Sequence, residues 1–239
     1  YLDLMIRWKD DFKANAKKLF DQEGIFVPSR ASDFGSCYHY NKNYPHLYWW
    51  TGTTWPCHFF YDYWLYTGDE QFLKKHAIPF MLDAYDFLKD ILYEYNGKYM
   101  FIPSYSPELG PLNTHPLAIN ATMDVASMKQ FLRNLISLAE EGYISEKSIE
   151  EYKNTLNKLP DYSIGPNGEL KEWIWEGYQN NNKHRHASHL YPLFDEVPPE
   201  FRNDTALREA AKKAIESRLE FRRPQNGGEM AFGLVQLGS

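Results

Sequence analysis

Apolar residues recur every three or four positions along most of the chain, which is the pattern of amphipathic helices. The segment LDLMIRWKDDFKANAKKLF, residues 2–20, has this spacing and few helix breakers, so it predicts one helix. In TTWPCHFFYDYWLYTGD, Thr54 is a candidate N-cap and Pro56 falls in the first turn, where proline is tolerated. Gly68 is placed to end this second helix as the glycine just past its C-terminus.

Further helical segments follow at close intervals. Asp69 is placed to cap EQFLKKHAIPFMLDAYDFLKDILYEY, a long helix that should kink or break at Pro79. TMDVASMKQFLRNLISLAEEGYI has a stop signal at Gly142, and Ser145 opens a helix that runs to about Leu159. TALREAAKKAIESRLEF is the last full helix, and RRPQNGGEMAFGLVQLG predicts a loop that enters another helix. Because the predicted helices follow one another in pairs, the sequence indicates an all-α fold.

Short hairpins separate some of these helices. Asn96-Gly97 is a type I′ turn signal, and a short strand is predicted over 99–105. YSIGPNGELKEW predicts a tight hairpin that turns at residues 166–168. The absence of strand–helix–strand alternation and of a repeat with fixed period argues against parallel-sheet folds and regular solenoids. We expect a single domain over 1–239, all-α, with functional loops at one end.

Composition narrows the function. The formal net charge of −6 comes without a basic stripe, so nucleic acid is not an expected partner. The sequence lacks an apolar run of about 18 residues, so no membrane span is expected. Aromatic residues make up 17% of the chain, which fits a large core and equally a cleft where sugar rings stack on aromatic planes. Cys37 and Cys57 are compatible with free thiols or with one bridge.

Glu108 is the first candidate for catalytic chemistry. It stands in PSYSPELGP, where Pro107 fixes the backbone directly before it. A carboxylate held rigidly at the end of an element is what a general acid requires. The alternative is a surface glutamate in a turn.

The segment HRHASHL places His184, Arg185, His186 and His189 within six positions. Histidines three positions apart are weak evidence for a metal site, and no carboxylate stands at metal-ligand spacing, so we expect neither a metal nor another cofactor. His and Arg donate hydrogen bonds well to hydroxyl oxygens, which favours the wall of a polar pocket. A hydrogen-bonded cluster that holds a loop in place is the alternative for at least one histidine.

Other carboxylates are weaker candidates. GELKEWIWE sets Glu172 beside Trp173, a combination typical of sugar-hydroxyl platforms and equally of helix starts. Asp33 lies in the Gly-, Pro- and Ser-rich loop 21–50, where it could cap a turn. Loops of that length in compact domains are usually functional.

A histidine and an aspartate also share one helix face. His58 follows Trp55 by three positions, and Asp62 comes one turn later, so Asp62 could orient His58. If this face points into the protein, the same pattern is an aromatic packing stripe.

Taken in order, five stretches resemble glycoside hydrolase family 95: TGTTWPCHFFYDYWLYTGDEQFL, FIPSYSPE, TMDVASMKQFLRNL, LPDYSIGPNGELKEW and KHRHASHLYPLF. The GxLxEW…HRHxSHLyxL run and PSxSPE are the specific parts, and TxDxxFL is weaker support. The resemblance extends from about Lys17 to the end of the chain. It implies part of an (α/α)6 toroid that acts on α-L-fucosides or α-L-galactosides in oligosaccharides or polysaccharides.

The resemblance also implies residue roles. Glu108 of SPE would be the general acid of an inverting reaction, with a pKa raised by burial near aromatic residues. His186 is the first choice for contact with the sugar, while Arg185 and His189 would be partly structural. The predicted substrate-binding set is completed by Trp55, His58, Glu172, Trp173 and Asp33.

The chain departs from the family pattern in two respects. By the family pattern, the helix with the asparagine-bearing NxN motif is expected before Tyr1, and the QxDGNFG stretch with the general base is expected after Ser239, so these 239 residues are expected to hold neither. We therefore expect the chain alone to be inactive or nearly so. In addition, NGGEMAFGL stands where the family usually has GWSxAW, which leaves the sugar specificity open.

Two other classes of function remain open. A non-catalytic carbohydrate-binding protein could be built on a decayed toroid, and the altered NGGEMAFGL segment motivates that reading. Another α/α-toroid enzyme, a lyase or a phosphorylase, is the third possibility, although no phosphate-binding motif is visible. Export to the periplasm or the medium is expected from polysaccharide-degrading relatives.

Overall fold

The computed structural model describes residues 1–31, 33–38, 41–194 and 196–222. Helices dominate this part of the chain, and the single β-hairpin consists of strands β1 (Leu92–Tyr95) and β2 (Lys98–Phe101). The α-helices are α1 (Leu2–Arg7), α2 (Lys9–Phe20), α3 (Thr51–Thr67), α4 (Glu70–Phe72), α5 (Ile78–Ile91), α6 (Thr122–Glu140), α7 (Ile149–Lys158), α8 (Pro199–Asn203) and α9 (Thr205–Arg222). The predicted helix within 223–239 lies outside the described residues.

The helix predicted over 2–20 is two helices. Trp8 leaves the helical conformation, with φ −91° and ψ 8°, and separates α1 from α2. A break of one residue barely disturbs the apolar spacing, so the periodicity could not reveal it. Asp21 ends α2 in the left-handed conformation.

Helix α3 begins at Thr51, three residues before the predicted start. The cap comes from another helix, because the backbone N–H of Thr51 donates to Oδ1 of Asp124 at 2.8 Å. Thr54 is therefore an interior residue, and its hydroxyl bonds to Ser127 of α6. The end of α3 is as predicted, since Gly68 adopts the left-handed conformation at φ 66°.

Asp69 caps the next helical segment as predicted, with Oδ1 accepting from the N–H of Phe72 at 2.9 Å. The irregularity expected at Pro79 lies just before it. Residues Leu73–Ala77 form a π-helical turn, and regular α-helix resumes at Ile78. Proline has no backbone N–H to donate, and its ring needs space in the preceding turn. A wider turn before the proline accommodates both.

The hairpin signals are confirmed. Asn96 and Gly97 both have positive φ, at 50° and 76°, as a type I′ turn requires. Strand β2 ends at Phe101, earlier than the predicted 105. An isolated bridge between Ile164 and Leu170 marks the second predicted turn.

Helix α6 lies between two apolar clusters. On one side, Val125, Met128 and Leu132 belong to the large core that α2, α3 and α5 also build. On the other side, Met123 and Ala126 pack with apolar residues of 162–214, including α9. Because both clusters share α6, its N-terminus lies at a fixed place between the two halves of the described structure.

The fold class is confirmed as all-α with a short hairpin in a loop. None of the helices in the described part of the chain combines the length and the apolar composition that crossing a bilayer requires. Cys37 and Cys57 are both free thiols, and burial raises the pKa of Cys57. The extent of the single domain over 1–239 stays a prediction.

Candidate active site

Glu108 lies at the wall of a cavity of about 230 Å³. The cavity is lined by side chains from the long N-terminal loop, the start of α3, the loop around Glu108, the start of α6 and the HRHASHL segment. They are Ser29, Arg30, His46, Trp49, Trp55, Pro107, Glu108, Met123, His186 and Ser188. Five segments that are separated in the sequence therefore line one cavity, and Glu108 is part of its wall.

Cationic and potentially cationic groups surround the Glu108 carboxylate. Nη2 of Arg185 donates to Oε2 at 2.7 Å, and Nε2 of His186 lies 3.6 Å from the same oxygen. On the other oxygen, Nε2 of His46 is 3.7 Å away and Nη2 of Arg30 is 4.0 Å away. Nδ1 of His46 donates to a backbone carbonyl, which turns Nε2 toward Glu108.

The expected rise in the pKa of Glu108 is not found. Partial burial of Glu108 opposes ionisation, but Arg185, His186 and His46 outweigh burial and lower the pKa below the usual value of a glutamate. The expectation considered only burial among aromatic residues. It missed the positive neighbours, which favour the ionised form.

Two tryptophans form the aromatic wall of the cavity, a name used here for Trp49 and Trp55. Their rings meet edge to face with centroids 6.1 Å apart, and Trp55 also meets Tyr191 edge to face at 5.6 Å. Trp49 precedes α3 and Trp55 lies in its second turn. The start of α3 therefore sets where the wall stands relative to Glu108.

The segment 103–110, called the acid loop below, is fastened to its surroundings at several points. At its start, the carbonyl oxygen of Pro103 accepts from Nε1 of Trp50 at 2.8 Å. Near its end, the carbonyl oxygen of Pro107 accepts from the Ser188 hydroxyl at 2.5 Å. The first hydrogen bond ties the start of the loop to Trp50, and the second ties the residue before Glu108 to the HRHASHL segment.

Two serine side chains of the acid loop reach buried carboxylates. Ser104 donates to Oδ2 of Asp124 at 2.7 Å, and Ser106 donates to Oε1 of Glu172 at 2.8 Å. Asp124 is 1% exposed and burial raises its pKa to about 7, although Ser104 and Thr51 favour its charged form. In the sequence, the segment around Asp124 carries only weak support for the family and no sign of this role.

Glu172 and Trp173 are buried and do not line the cavity, so the described structure does not place their side chains where they could contact a sugar in it. Glu172 is 1% exposed and forms an ion pair with Arg218, which is itself fully buried. Burial raises the pKa of Glu172, against the opposing effects of Arg218 and Ser106. Trp173 is 0% exposed and packs against Ala118 and other apolar residues.

His189 and His58 are also buried away from the cavity. His189 is 1% exposed, 3.8 Å from Oε2 of Glu172, and burial lowers its pKa well below the usual value. His58 is 0% exposed and its hydrogen bonds at 3.4 Å go to Ser127 and Asn134 of α6, with a pKa lowered by burial to about 3. Both histidines support the core, and the partner of His58 is α6 rather than Asp62.

Asp33 is exposed on the long loop and is not among the cavity-lining residues. That loop nevertheless contributes Arg30, His46 and Trp49 to the site, which sequence analysis did not single out. A lone histidine in an aromatic-rich loop gives no signal of its own. The sequence points to these three residues only through the expectation that the long loop as a whole is functional.

Among the described residues, no group of three or more His, Cys, Asp and Glu side chains has the geometry of a metal site.

A larger apolar groove of about 470 Å³ shares Trp49 and Trp55 with the cavity. It runs along α1 and the start of α3.

Comparison with solved structures supports a helical toroid. The fold is similar to that of a solved structure, "Putative kojibiose phosphorylase from human microbiome", with a TM-score of 0.62 and 14% sequence identity. The match covers 96% of this chain and 35% of that one, so the described helices correspond to part of an α/α toroid.

Sequence comparison points to a narrower group. The chain is 32% identical to "Alpha-L-fucosidase 2" of Arabidopsis thaliana over 61% of its own length, and the match spans 18% of that relative. The model of the glycosyl hydrolase family 95 catalytic domain matches residues 1–235. The chain therefore belongs to glycosyl hydrolase family 95.

Proposed function

We propose that the protein hydrolyses terminal α-L-fucosidic or α-L-galactosidic linkages, with Glu108 as the general acid. The observation that carries the proposal is the position of Glu108 at a cavity of about 230 Å³ between an aromatic wall and basic side chains. Trp49 and Trp55 offer surfaces for the C–H face of a sugar, and Arg185 and His186 offer donors for its hydroxyls. Family membership and the name of the plant relative support the choice of reaction.

The general acid must carry a proton when the glycosidic bond breaks. With Arg185 at 2.7 Å, the carboxylate form of Glu108 is favoured in the free protein. A bound sugar excludes water from Glu108 and draws Arg185 toward its hydroxyls. Both effects raise the pKa of Glu108, so protonation is coupled to substrate binding.

The reaction proposed is inverting, which requires a base across the sugar from Glu108 with room for a water between them. In the described part of the chain, Glu108 is the one carboxylate that lines the cavity. Asp124 and Glu172 are buried behind the acid loop and point to its serines. We therefore propose that the base lies outside the described residues and that these 239 residues alone are inactive.

The test is an NMR time course of the whole protein acting on 2′-fucosyllactose. Initial release of β-L-fucose is expected, because inversion of an α-linked sugar yields the β anomer. Initial release of α-L-fucose would contradict inversion. No release from this substrate, followed by release from an α-L-galactoside, would move the specificity to galactose.

A carbohydrate-binding protein without catalysis is the second candidate. The lowered pKa of Glu108 and the absence of a second carboxylate from the cavity within the described residues favour it. Calorimetric binding of fucose or galactose without turnover of either glycoside would select this candidate. Export to the periplasm or the medium is proposed for both, since their polysaccharide substrates lie outside the cell.

A further inference from the structure

We propose that Asp124 is a positioning residue that sets the distance between the acid loop and the aromatic wall. The inference rests on the proposed function, because it concerns how Glu108 is aimed at a sugar held against the tryptophans. Asp124 does not line the cavity, and its carboxylate accepts hydrogen bonds from Ser104 and Thr51. It acts through Ser104 of the acid loop and through Thr51, which lies between the two tryptophans in the sequence.

Each oxygen of the Asp124 carboxylate serves a different segment. Oδ2 accepts from the hydroxyl of Ser104, four residues before Glu108. Oδ1 accepts from both the backbone N–H and the hydroxyl of Thr51, at 2.8 and 2.7 Å. Thr51 lies between Trp49 and Trp55 in the sequence, so one rigid carboxylate links the two sides of the cavity.

The geometry leaves little freedom in this link. Ser104 is itself fixed, since its N–H and C=O both pair with Ala118 at 2.9 Å and its hydroxyl accepts from the N–H of Ala121. Asp124 lies in the first turn of α6, whose position between the two apolar clusters is set by the core. A carboxylate with hydrogen bonds to both oxygens, held by a buried helix, is a precise reference point.

A second contact joins the same two segments. Nε1 of Trp50 donates to the carbonyl oxygen of Pro103 at 2.8 Å, directly beside the Ser104–Asp124–Thr51 connection. Its presence predicts that loss of Asp124 shifts the acid loop without detaching it. The expected defect is therefore misplacement of Glu108, with the fold retained.

The test uses leaving groups that differ in their need for an acid. In the whole protein, Asp124→Ala and Ser104→Ala should lower kcat on 2′-fucosyllactose by about 10- to 100-fold, because small misplacements of catalytic groups have effects of this size. On α-L-fucosyl fluoride, whose leaving group needs far less protonation by an acid, kcat should fall less than about threefold. Asp124→Asn, which keeps an oxygen for Thr51, should recover most of the activity.

The matched control is Thr155→Val, which removes hydrogen bonds to the Tyr85 hydroxyl and the Glu151 carbonyl oxygen at a buried residue that does not line the cavity. It should leave both substrates unaffected. Equal losses on both substrates in the Asp124 variants would mean a general loss of folded protein and would overturn the proposal. Unchanged turnover of 2′-fucosyllactose would overturn it as well.

A second measurement is independent of catalysis and applies even if the wild-type protein hydrolyses neither substrate. The amides of Ser104 and Leu109 are hydrogen-bonded in the acid loop. Their hydrogen exchange should be at least about tenfold faster in Asp124→Ala than in the wild-type protein and in Thr155→Val. Unchanged exchange would show that Asp124 does not hold the loop, whereas failure of the proposed function alone would leave the faster exchange intact.

Discussion

Arg185 donates a hydrogen bond to Oε2 of Glu108 across 2.7 Å, with the side chains 35% and 20% exposed. The pair joins the PSYSPE and HRHASHL motifs, which lie 77 residues apart in the sequence. A charge-assisted contact of this length favours the ionised carboxylate. The candidate acid is thus held in the form that cannot donate a proton until its surroundings change.

Replacing Arg185 should move the pH dependence of the reaction. In Arg185→Met, Glu108 loses its nearest positive neighbour, so its pKa rises, and the basic limb of kcat/KM, which follows the free enzyme, should shift to higher pH. The measurement is kcat/KM for 2′-fucosyllactose from pH 3 to 8, a range chosen to include the low pKa of Glu108 in the wild-type protein. Lys183→Met, an exposed change in the same segment, is the control and should leave the limb in place.

An unshifted basic limb in Arg185→Met would mean that Glu108 does not titrate in the limb, and the general acid would have to be sought elsewhere. A downward shift would show that Arg185 opposes ionisation of Glu108, contrary to the geometry.

Replacing Glu108 tests its role directly. Glu108→Gln keeps the size of the side chain but cannot donate a proton as an acid, so kcat on 2′-fucosyllactose should fall by about 10²- to 10⁴-fold. Fucose affinity, measured by calorimetry, should change only a few-fold because the cavity keeps its shape. Glu176→Gln, at an exposed position, is the matched control. Normal turnover by the Glu108 variant would exclude it as the acid.

The sequence predicted the local features well because they depend on local rules. Gly68 ends a helix and Asn96-Gly97 forms a hairpin turn since only certain residues accept positive φ at low cost. The position of Glu108 in a fixed loop followed from its flanking prolines and from the family motif. These predictions needed no knowledge of what packs against each segment.

The sequence pattern could not distinguish the buried residues that pack behind the site from the residues that line the cavity. Glu172, Trp173, His58 and His189 have the residue types of a sugar pocket, and the structure buries all four. A polar residue with a buried partner resembles a ligand-binding residue until that partner is known. The partners are remote in sequence, as with Arg218, which is 46 positions from Glu172.

Replacement by alanine should affect sugar binding at Trp55, which lines the cavity, and folding stability at Trp173, which is in the core. Trp55→Ala removes part of the aromatic wall from a half-buried position, so fucose affinity should fall by about fivefold, corresponding to stacking of roughly 1 kcal/mol. Trp173→Ala empties a site that is 0% exposed and should cost about 3–5 kcal/mol of unfolding free energy. Calorimetric titration and denaturant unfolding measure the two effects. A large loss of stability in Trp55→Ala would place that residue in the core instead.

Burial of Asp124 predicts a pH dependence of stability. Its pKa is raised from 3.8 in the unfolded chain to about 7 in the folded protein, mainly because full burial disfavours the charge. The folded state therefore binds the proton more tightly, and the stability this provides is complete below pH 3.8 and lost as the pH rises through about 7. Asp124→Asn cannot titrate at this position, so the difference in unfolding free energy between wild type and variant should fall by up to roughly 4 kcal/mol over that interval.

Denaturant unfolding at pH 4.5, 6 and 8 measures this difference, with Asp90→Asn as the control at an exposed position. The sign decides between two descriptions of the carboxylate. A difference that falls with pH means that desolvation outweighs the hydrogen bonds from Ser104 and Thr51. A difference that rises with pH means that those donors hold Asp124 ionised, and the link between the acid loop and α3 is then a charged one at neutral pH.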